Sequence, residues 1–331
     1  MSKKVLCLGN ALVDIITQLE SDSILETLNL PKGSMQLVDS DVSKMVQNAT
    51  SELKSSLQTG GSAANTANGI ANLGVGSAFI GMVGEDKLGE FYINDIVENS
   101  IEPRFFKSKN TSTGCAVALV SKDGERTFAT YLGAAIELNA DLLTNELFKG
   151  YDYFHIEGYL IVNHALIRKA IELAKQEGLK VSIDFASYNV VEENLEFLND
   201  ICRNVDIIFA NEQEAQAFTN KNAEESLEII SKICEIAVVK IGKKGSLIKS
   251  GDKKVVIGKR ERTCVDTTGA GDMYAAGFLA GLCMGKGLED CGQMGSILAS
   301  EVIEVYGAKM DSTAWERIRK EIEQIRSNGH F

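Results

Sequence analysis

From Tyr151 onward the chain repeats one pattern, a short apolar run followed by a stretch of helical period, and few folds accept it. Apolar runs at 151–156, 181–184, 207–210 and 236–241 alternate with helical stretches at 163–177, 193–203, 211–218 and 223–234. Strands this short and this apolar are covered on both faces, and the helices between them are long enough to carry the chain back across. The pattern predicts a parallel, doubly wound sheet in a three-layer αβα arrangement. Val5–Gly9 and Ala78–Val83 read as further buried strands, with helices expected over 21–28, 41–57 and within 84–99. After a hairpin-like pair at 246–249 and 253–257 the pattern becomes helical, at 273–282, 288–306 and 312–326. The chain has only two prolines, so helix breaks fall to glycines.

One region departs from this rhythm. The runs CAVALV and RTFATYL alternate and are joined by Ser121-Lys122-Asp123-Gly124-Glu125, which predicts an antiparallel hairpin. Lys32–Asp39 reads as a turn and a strand that would join it. We therefore expect a small β-sheet over 15–38 and 104–135, inserted in a large α/β unit over 1–14, 39–103 and 136–331, and read the small sheet as a lid.

Two stretches carry chemistry. Asp266-Thr267-Thr268-Gly269-Ala270-Gly271-Asp272 runs straight into the small-residue helix MYAAGFLAGL. Its glycines allow a ligand to approach the backbone, and the helix start offers unpaired N–H groups at the positive end of a macrodipole. That is an anion site, with the Asp272 carboxylate beside it. A carboxylate there repels a resting anion but is useful for taking a proton from a hydroxyl that attacks phosphorus; alone, the motif reads equally well as a helix cap with first-turn acids. The second stretch, Gly60-Gly61-Ser62-Ala63-Ala64-Asn65, opens another small-residue helix ending at Gly74. Asn65 puts an amide on a helix that must pack closely, and such an amide needs a partner. Asn10 and Asp14 follow the first strand, at the edge where open α/β sheets bind ligands. Asn211 and Glu214 share a helix face behind another strand and could hold a hydrated magnesium ion; taken alone they read as an ordinary N-terminal turn. Gly242-Lys243-Lys244-Gly245-Ser246 lacks the spacing of a Walker-A loop, and no GxGxxG follows the first strand.

Composition narrows the partners. A net charge of −12 over 331 residues argues against a nucleic-acid or membrane-surface binder, yet backbone N–H groups can still hold a small anion. Seven cysteines without a C-x-x-C spacing read as reduced thiols, and His155, His164 and His330 form no metal-ligand pattern. The start of the chain has no secretory apolar run, and no stretch has the length of a membrane span, so a cytoplasmic protein is expected.

GGSAANTANGIANLG (60–74) and DTTGAGDMYAAGFLAGL (266–282), with Asn211-x-x-Glu214 between them, resemble the ribokinase-like (PfkB) family of sugar and nucleoside kinases. The likeness covers nearly the full length. GNALVDI (9–15) and KGSMQLVD (32–39) resemble its adenosine-kinase-like branch. The resemblance implies a ribokinase-like fold and ATP-dependent phosphorylation of a primary hydroxyl, with Mg2+. It implies Asp272 as the base, and Gly269, Ala270 and Gly271 as the anion hole. Asn10, Asp14, Gly60, Gly61 and Asn65 match the sugar or ribose contacts, with Arg126 covering the substrate from the lid. Lys240, Gly242, Gly245, Thr267, Ala299, Val302 and Gly307 match the ATP site. Asn211 and Glu214 match a magnesium organiser acting through water. Asp266 and Thr268 match part of a site for K+ or a similar monovalent cation that some members have. A monomer or a homodimer through the lid is implied as well. Two positions depart from the pattern: many members have Asp-Pro-Asn where this chain has Asp184-Phe185-Ala186, and adenosine kinases often have Gln where it has Ala64. These leave open whether the acceptor is adenosine alone, another nucleoside or a free sugar. A non-catalytic nucleotide-binding protein on the same scaffold and a dinucleotide-dependent oxidoreductase are the other readings.

Overall fold

The computed structural model describes residues 2–328, so His330 lies outside it. Among the described residues the strands form two sheets. The large sheet runs β14 (Lys253–Ile257), β13 (Ser246–Ser250), β12 (Ile236–Lys240), β11 (Ile207–Asn211), β10 (Lys180–Asp184), β9 (Tyr153–Glu157), β1 (Lys4–Leu8), β5 (Gly76–Gly84), β6 (Ile101–Ser108). Neighbours from β6 to β12 pair in parallel, and β12, β13 and β14 pair antiparallel. The apolar runs account for this. On β1, Val5 and Cys7 enter one core while Leu6 and Leu8 enter the other, as strands covered on both faces must. One layer of helices holds α3 (Ser62–Asn72), α4 (Lys87–Glu98), α10 (Ala270–Cys283), α11 (Leu288–Val302) and α12 (Ser312–Asn328). The other holds α5 (His164–Gln176), α7 (Leu195–Ile201), α8 (Glu212–Thr219) and α9 (Ala223–Ile230). This is the expected three-layer α/β arrangement.

The small sheet has the order β3 (Met35–Leu37), β8 (Arg126–Tyr131), β7 (Gly114–Val120), β2 (Leu12–Gln18), β4 (Ser55–Gly60). Its two faces are unlike. Ile15, Val117, Leu119 and Ala129 pack under α1 (Ser23–Thr27) and α2 (Ser40–Ala49). By the register, the opposite face carries Asp14, Ile16, Phe128 and Arg126.

Two strands fall on the other side of the expected division. β4 lies in the small sheet, although the sequence suggested a helix through residue 57 in the large unit. Helix α2 stops at Ala49, and the mostly exposed strand that follows is held by pairing with β2, which local propensity does not reveal. β6, expected with the small sheet from residue 104, lies parallel to β5 at the edge of the large one, where Pro103 is tolerated. The helix expected over 193–203 is α7, Leu195–Ile201, preceded by a separate helix α6 (Tyr188–Glu193) that ends at Asn194, and α11 stops at Val302 rather than continuing to 306. Among the described residues no helix is long and apolar enough to cross a membrane.

Candidate active site

The parallel strands end in a row of polar side chains. Glu157 on β9 stands beside Asp184 on β10, and Asn211 on β11 beside Lys240 on β12. The carboxyl edge of an open sheet is where such groups can meet a ligand. Lys240 donates to Asp184 Oδ2 at 2.6 Å. Burial disfavours its charge, but Asp184 and Glu214 outweigh burial and raise its pKa. Its ammonium also flanks the Asp266–Asp272 loop, 3.1 Å from where a Cβ on Gly271 would stand.

That loop feeds α10. Gly269 has φ +77° and no side chain caps the helix; the Ala270 N–H donates to the Thr267 carbonyl (3.2 Å), which leaves the Gly271 and Asp272 N–H groups for a ligand. Asp272 in the first turn meets α3: Ser62 Oγ donates to its Oδ1 (2.6 Å) and Asn65 Nδ2 to its Oδ2 (2.8 Å). Thr66 Oγ1 donates to its carbonyl (3.2 Å). Burial raises the Asp272 pKa, and the Ser62 and Asn65 bonds hold part of that rise back. The two glycine-rich motifs therefore meet at one carboxylate, and the partner Asn65 required is Asp272 itself.

The other side of the hollow starts at Gly61. Its φ is +97°, and a Cβ there would collide with the Asn10 carbonyl oxygen, so only glycine joins β4 to α3 this way. Asn10 is held by Glu157, whose Oε1 accepts from Asn10 Nδ2 (2.6 Å) and whose Oε2 accepts from the Ala63 N–H (3.1 Å). Burial pushes Glu157 up to about 7. Asp14 on β2 abuts the Gly60 α-carbon, and burial lifts it to about 7 against the pull of Arg126 and Lys309. Lys309 in turn binds Asp95 and Thr59.

Asn211 and Glu214 are spent on each other. Glu214 accepts from the Asn211 N–H (2.7 Å) and side chain (2.6 Å), while Asn211 caps the Glu214 N–H (2.9 Å). Glu214 is buried, which with nearby Asp184 raises it to about 7. Among the described residues no three His, Cys, Asp or Glu side chains gather as a metal-ligand set.

Asp266 and Thr268 do meet, and protein donors engage both oxygens of the carboxylate. Asp266 Oδ1 accepts from the Thr268 N–H (3.0 Å) and hydroxyl (2.8 Å), and Oδ2 from the Gly307 N–H (2.8 Å). Arg126 Nη1 takes the remaining place at 2.9 Å. The residues expected at the nucleotide divide. Thr267 is exposed, Ala299 is half-buried, and Gly242 faces open space. Gly245 packs on the backbone of Ile257 and Gly258, and Val302 is sealed in the core, so neither is presented to a ligand.

Glu157, Asp184, Ser62 and Lys309 have no role in the reading of the sequence. Asp184 and Glu157 end apolar strands, and a polar residue in that position is the signal that could have found them. Lys309 carries no such signal, because its contacts are 214 and 250 residues away.

An anion seat, a cation and a buried carboxylate within one hollow suit phosphoryl transfer to an alcohol, and the likeness to known proteins agrees. Residues 36–315 match the pfkB family of carbohydrate kinases. The chain is 30% identical over 242 residues to an uncharacterised sugar kinase of Archaeoglobus fulgidus, covering 73% of this chain and 96% of that one. It is 30% identical over 273 residues to a nucleoside kinase of Methanocaldococcus jannaschii, covering 81% and 86%. The crystal structure of adenosine kinase from Sinorhizobium meliloti superposes with a TM-score of 0.85 at 33% identity, over 97% of this chain and 100% of that one. With that match spanning both glycine-rich motifs and the hollow between them, the chain belongs to the pfkB family and is a kinase, a phosphotransferase acting on a sugar or a nucleoside.

Proposed function

We propose that the protein transfers the γ-phosphoryl group of ATP to the primary hydroxyl of a nucleoside. The observation that carries the transfer is the Asp272 carboxylate, buried, raised in pKa and fixed by Asn65 and Ser62 beside the uncapped start of α10. Asp272 accepts the hydroxyl proton, and the backbone at Gly269–Gly271 receives the phosphoryl oxygens. Lys240 adds positive charge from the other side. Asn10, Asp14, Gly61 and Asn65 face the space for ribose hydroxyls.

The preference for a nucleoside over a free sugar rests on the small sheet. The face that carries Asp14 and Arg126 also carries Ile16, Phe128, Met35 and Leu37, by register. Met35 is 59% and Leu37 67% exposed, an apolar surface left open beside a polar pocket. A planar base covers more of such a surface than a hexose, whose ring carries hydroxyls all round. The small sheet then acts as a lid that closes over the base. Adenosine is one candidate, and the difference at Ala64 leaves room for others.

The donor set suits a hydrated magnesium ion: Glu214 and Asp184 would hold it through water, since Glu214 and Asn211 occupy each other's direct valences. When bound, the ion neutralises phosphate charge.

The test is ADP release coupled to NADH oxidation, over adenosine, inosine, ribose, fructose and 2-keto-3-deoxygluconate. A nucleoside should be turned over with the highest kcat/KM. A free sugar turned over faster than either nucleoside would overturn the choice of acceptor, and no ADP release with any acceptor would count against the assigned reaction.

A further inference from the structure

The cation site implied for Asp266 and Thr268 does not fit the residues around it, and that mismatch has a consequence. A carboxylate has roughly four lone-pair positions. Those of Asp266 meet the Thr268 N–H, the Thr268 hydroxyl, the Gly307 N–H and Arg126 Nη1. The Asp266 side chain is 13% exposed and that of Arg126 10%, so the pair is shielded from solvent. An ion could reach Asp266 only by displacing the guanidinium.

Arg126 is held for this position from other sides. Its guanidinium lies over the Tyr306 ring, 5.1 Å from the centroid. The Gly124 turn of its own hairpin packs on the Tyr306 hydroxyl. Its Nε and Nη2 are buried without a protein partner, so the side chain keeps donors for an anion while Nη1 holds Asp266. It also acts on Asp14, whose ionised form it favours. One guanidinium thus spans the acceptor side and the phosphate side of the hollow. It comes from β8 of the small sheet, whereas Asp266 belongs to the loop feeding α10.

We propose that Arg126 fills, from the small sheet, the charge-balancing place at Asp266 that a monovalent cation takes in some members of the family. The kinase is then independent of K+, and docking of the small sheet supplies the positive charge the anion loop needs. Arg126 is a positioning residue in this scheme: it holds Asp266, and through it the Thr267–Asp272 turn, ready for the phosphoryl group. This second part rests on the phosphotransfer proposed above. The ion competition at Asp266 does not.

The experiment compares KCl with N-methylglucamine chloride at fixed ionic strength, by thermal melting without substrates and by initial rate with the best acceptor. The wild-type protein should show the same melting temperature and rate in both salts. In Arg126→Met the vacated carboxylate should take K+, so KCl should raise the melting temperature by a few degrees or about 1–3 °C, and more with rising salt, as for any ligand bound only by the folded state. The double variant Arg126→Met/Asp266→Asn should lose that response. Arg126→Lys, which keeps a charge and most of the packing, should remain indifferent to KCl. A wild-type rate or melting temperature raised specifically by KCl would overturn the proposal. So would an Arg126→Met protein, melting cooperatively, that responds alike to both salts; if that variant does not melt cooperatively, an Arg126→Lys protein stabilised by KCl has the same force. If no acceptor is phosphorylated in either salt, the phosphotransfer reading fails, while the melting series still decides the occupancy of Asp266.

Discussion

Asp272 has to be ionised to accept a proton and is buried, two demands that pull against each other. Ser62 and Asn65 reconcile them by donating one hydrogen bond to each carboxylate oxygen. Replacing Asp272 with Asn keeps the shape and removes the proposed base. Its kcat should fall by at least ~10²-fold while the acceptor still binds, as a positioned base contributes about that much. Steady-state kinetics with an equilibrium binding measurement checks both halves. Asn65→Ala behaves differently because Asn65 has two tasks. In the proposed site it faces the acceptor, so the acceptor KM should rise well above any change in the ATP KM. It also fixes Asp272, so kcat should drop by roughly 10-fold as well, the cost of one lost hydrogen bond to a charged group. Equal shifts in the two KM values would remove Asn65 from the acceptor pocket. Lys240→Met removes the ammonium beside Gly271 and leaves Asp184 and Glu214 facing each other. The expected loss is in kcat, by about 10²-fold, through weaker charge stabilisation of the transferred group. A variant with unchanged kcat would make Lys240 a purely structural partner of Asp184. The motifs displayed Asp272 and Asn65 in the sequence, and the family resemblance added Lys240. Neither showed that Asp272 and Asn65 are hydrogen-bonded, because 207 residues separate them.

At the scale of elements, the site depends on helices rich in small residues. Helix α10 is buried along Met273–Gly281 and crosses α11 so closely that a Cβ on Gly277 would meet the Met294 carbonyl carbon and oxygen at 2.6 and 2.5 Å. Backbone on backbone leaves no side chain to yield. Gly277→Ala should force the helices apart and cost about 1–3 kcal/mol, the usual penalty of overpacking. Urea denaturation should show the lower midpoint, and because α10 carries Asp272 at its start, kcat should fall with it. An unchanged midpoint would mean that the two helices slide freely. The small residues of α10 were plain in the sequence as a sign of close packing, and the buried strands as a sign of a covered sheet. β4 and β6 fall on the other side of the expected division because both are edge strands with exposed residues, whose sheet is chosen by pairing with another strand, β2 or β5, rather than by their own sequence. Glu157 was missed for a related reason: it links the start of α3 to the end of β1, and none of those positions is near it in sequence.

For the molecule as a whole, the collection of acids in the hollow makes stability depend on pH in an unusual direction. Asp14, Glu157 and Glu214 are each raised to about 7, chiefly by burial. A carboxyl that holds its proton more tightly when folded binds more protons in the folded state between its unfolded and folded pKa values. Folding stability therefore falls as pH climbs from about 4 to about 7 and stays low above that. Asp266 and Asp206 have lowered pKa values and work the other way, losing their contribution only at acid pH below about 4. The unliganded protein should be most stable near pH 5 and weaker at pH 8. Glu157 is the cleanest test, since it is fully buried and moves from 4.5 to about 7. At about 1.4 kcal/mol for each pH unit, that shift is on the order of 3 kcal/mol lost between pH 5 and pH 8. Glu157→Gln cannot ionise. Its amide oxygen can still accept from Asn10, but its NH2 group faces the Ala63 N–H, a donor against a donor. The variant should start about 1 kcal/mol below wild type at pH 5, the cost of that lost bond, and should lose less on going to pH 8, so that the two stability curves converge or cross. Urea midpoints at the two pH values measure this directly. A wild-type midpoint that rises from pH 5 to pH 8, or a Glu157→Gln protein with the wild-type slope, would show that Glu157 stays ionised in the folded protein and that Asn10 and Ala63 alone carry its charge.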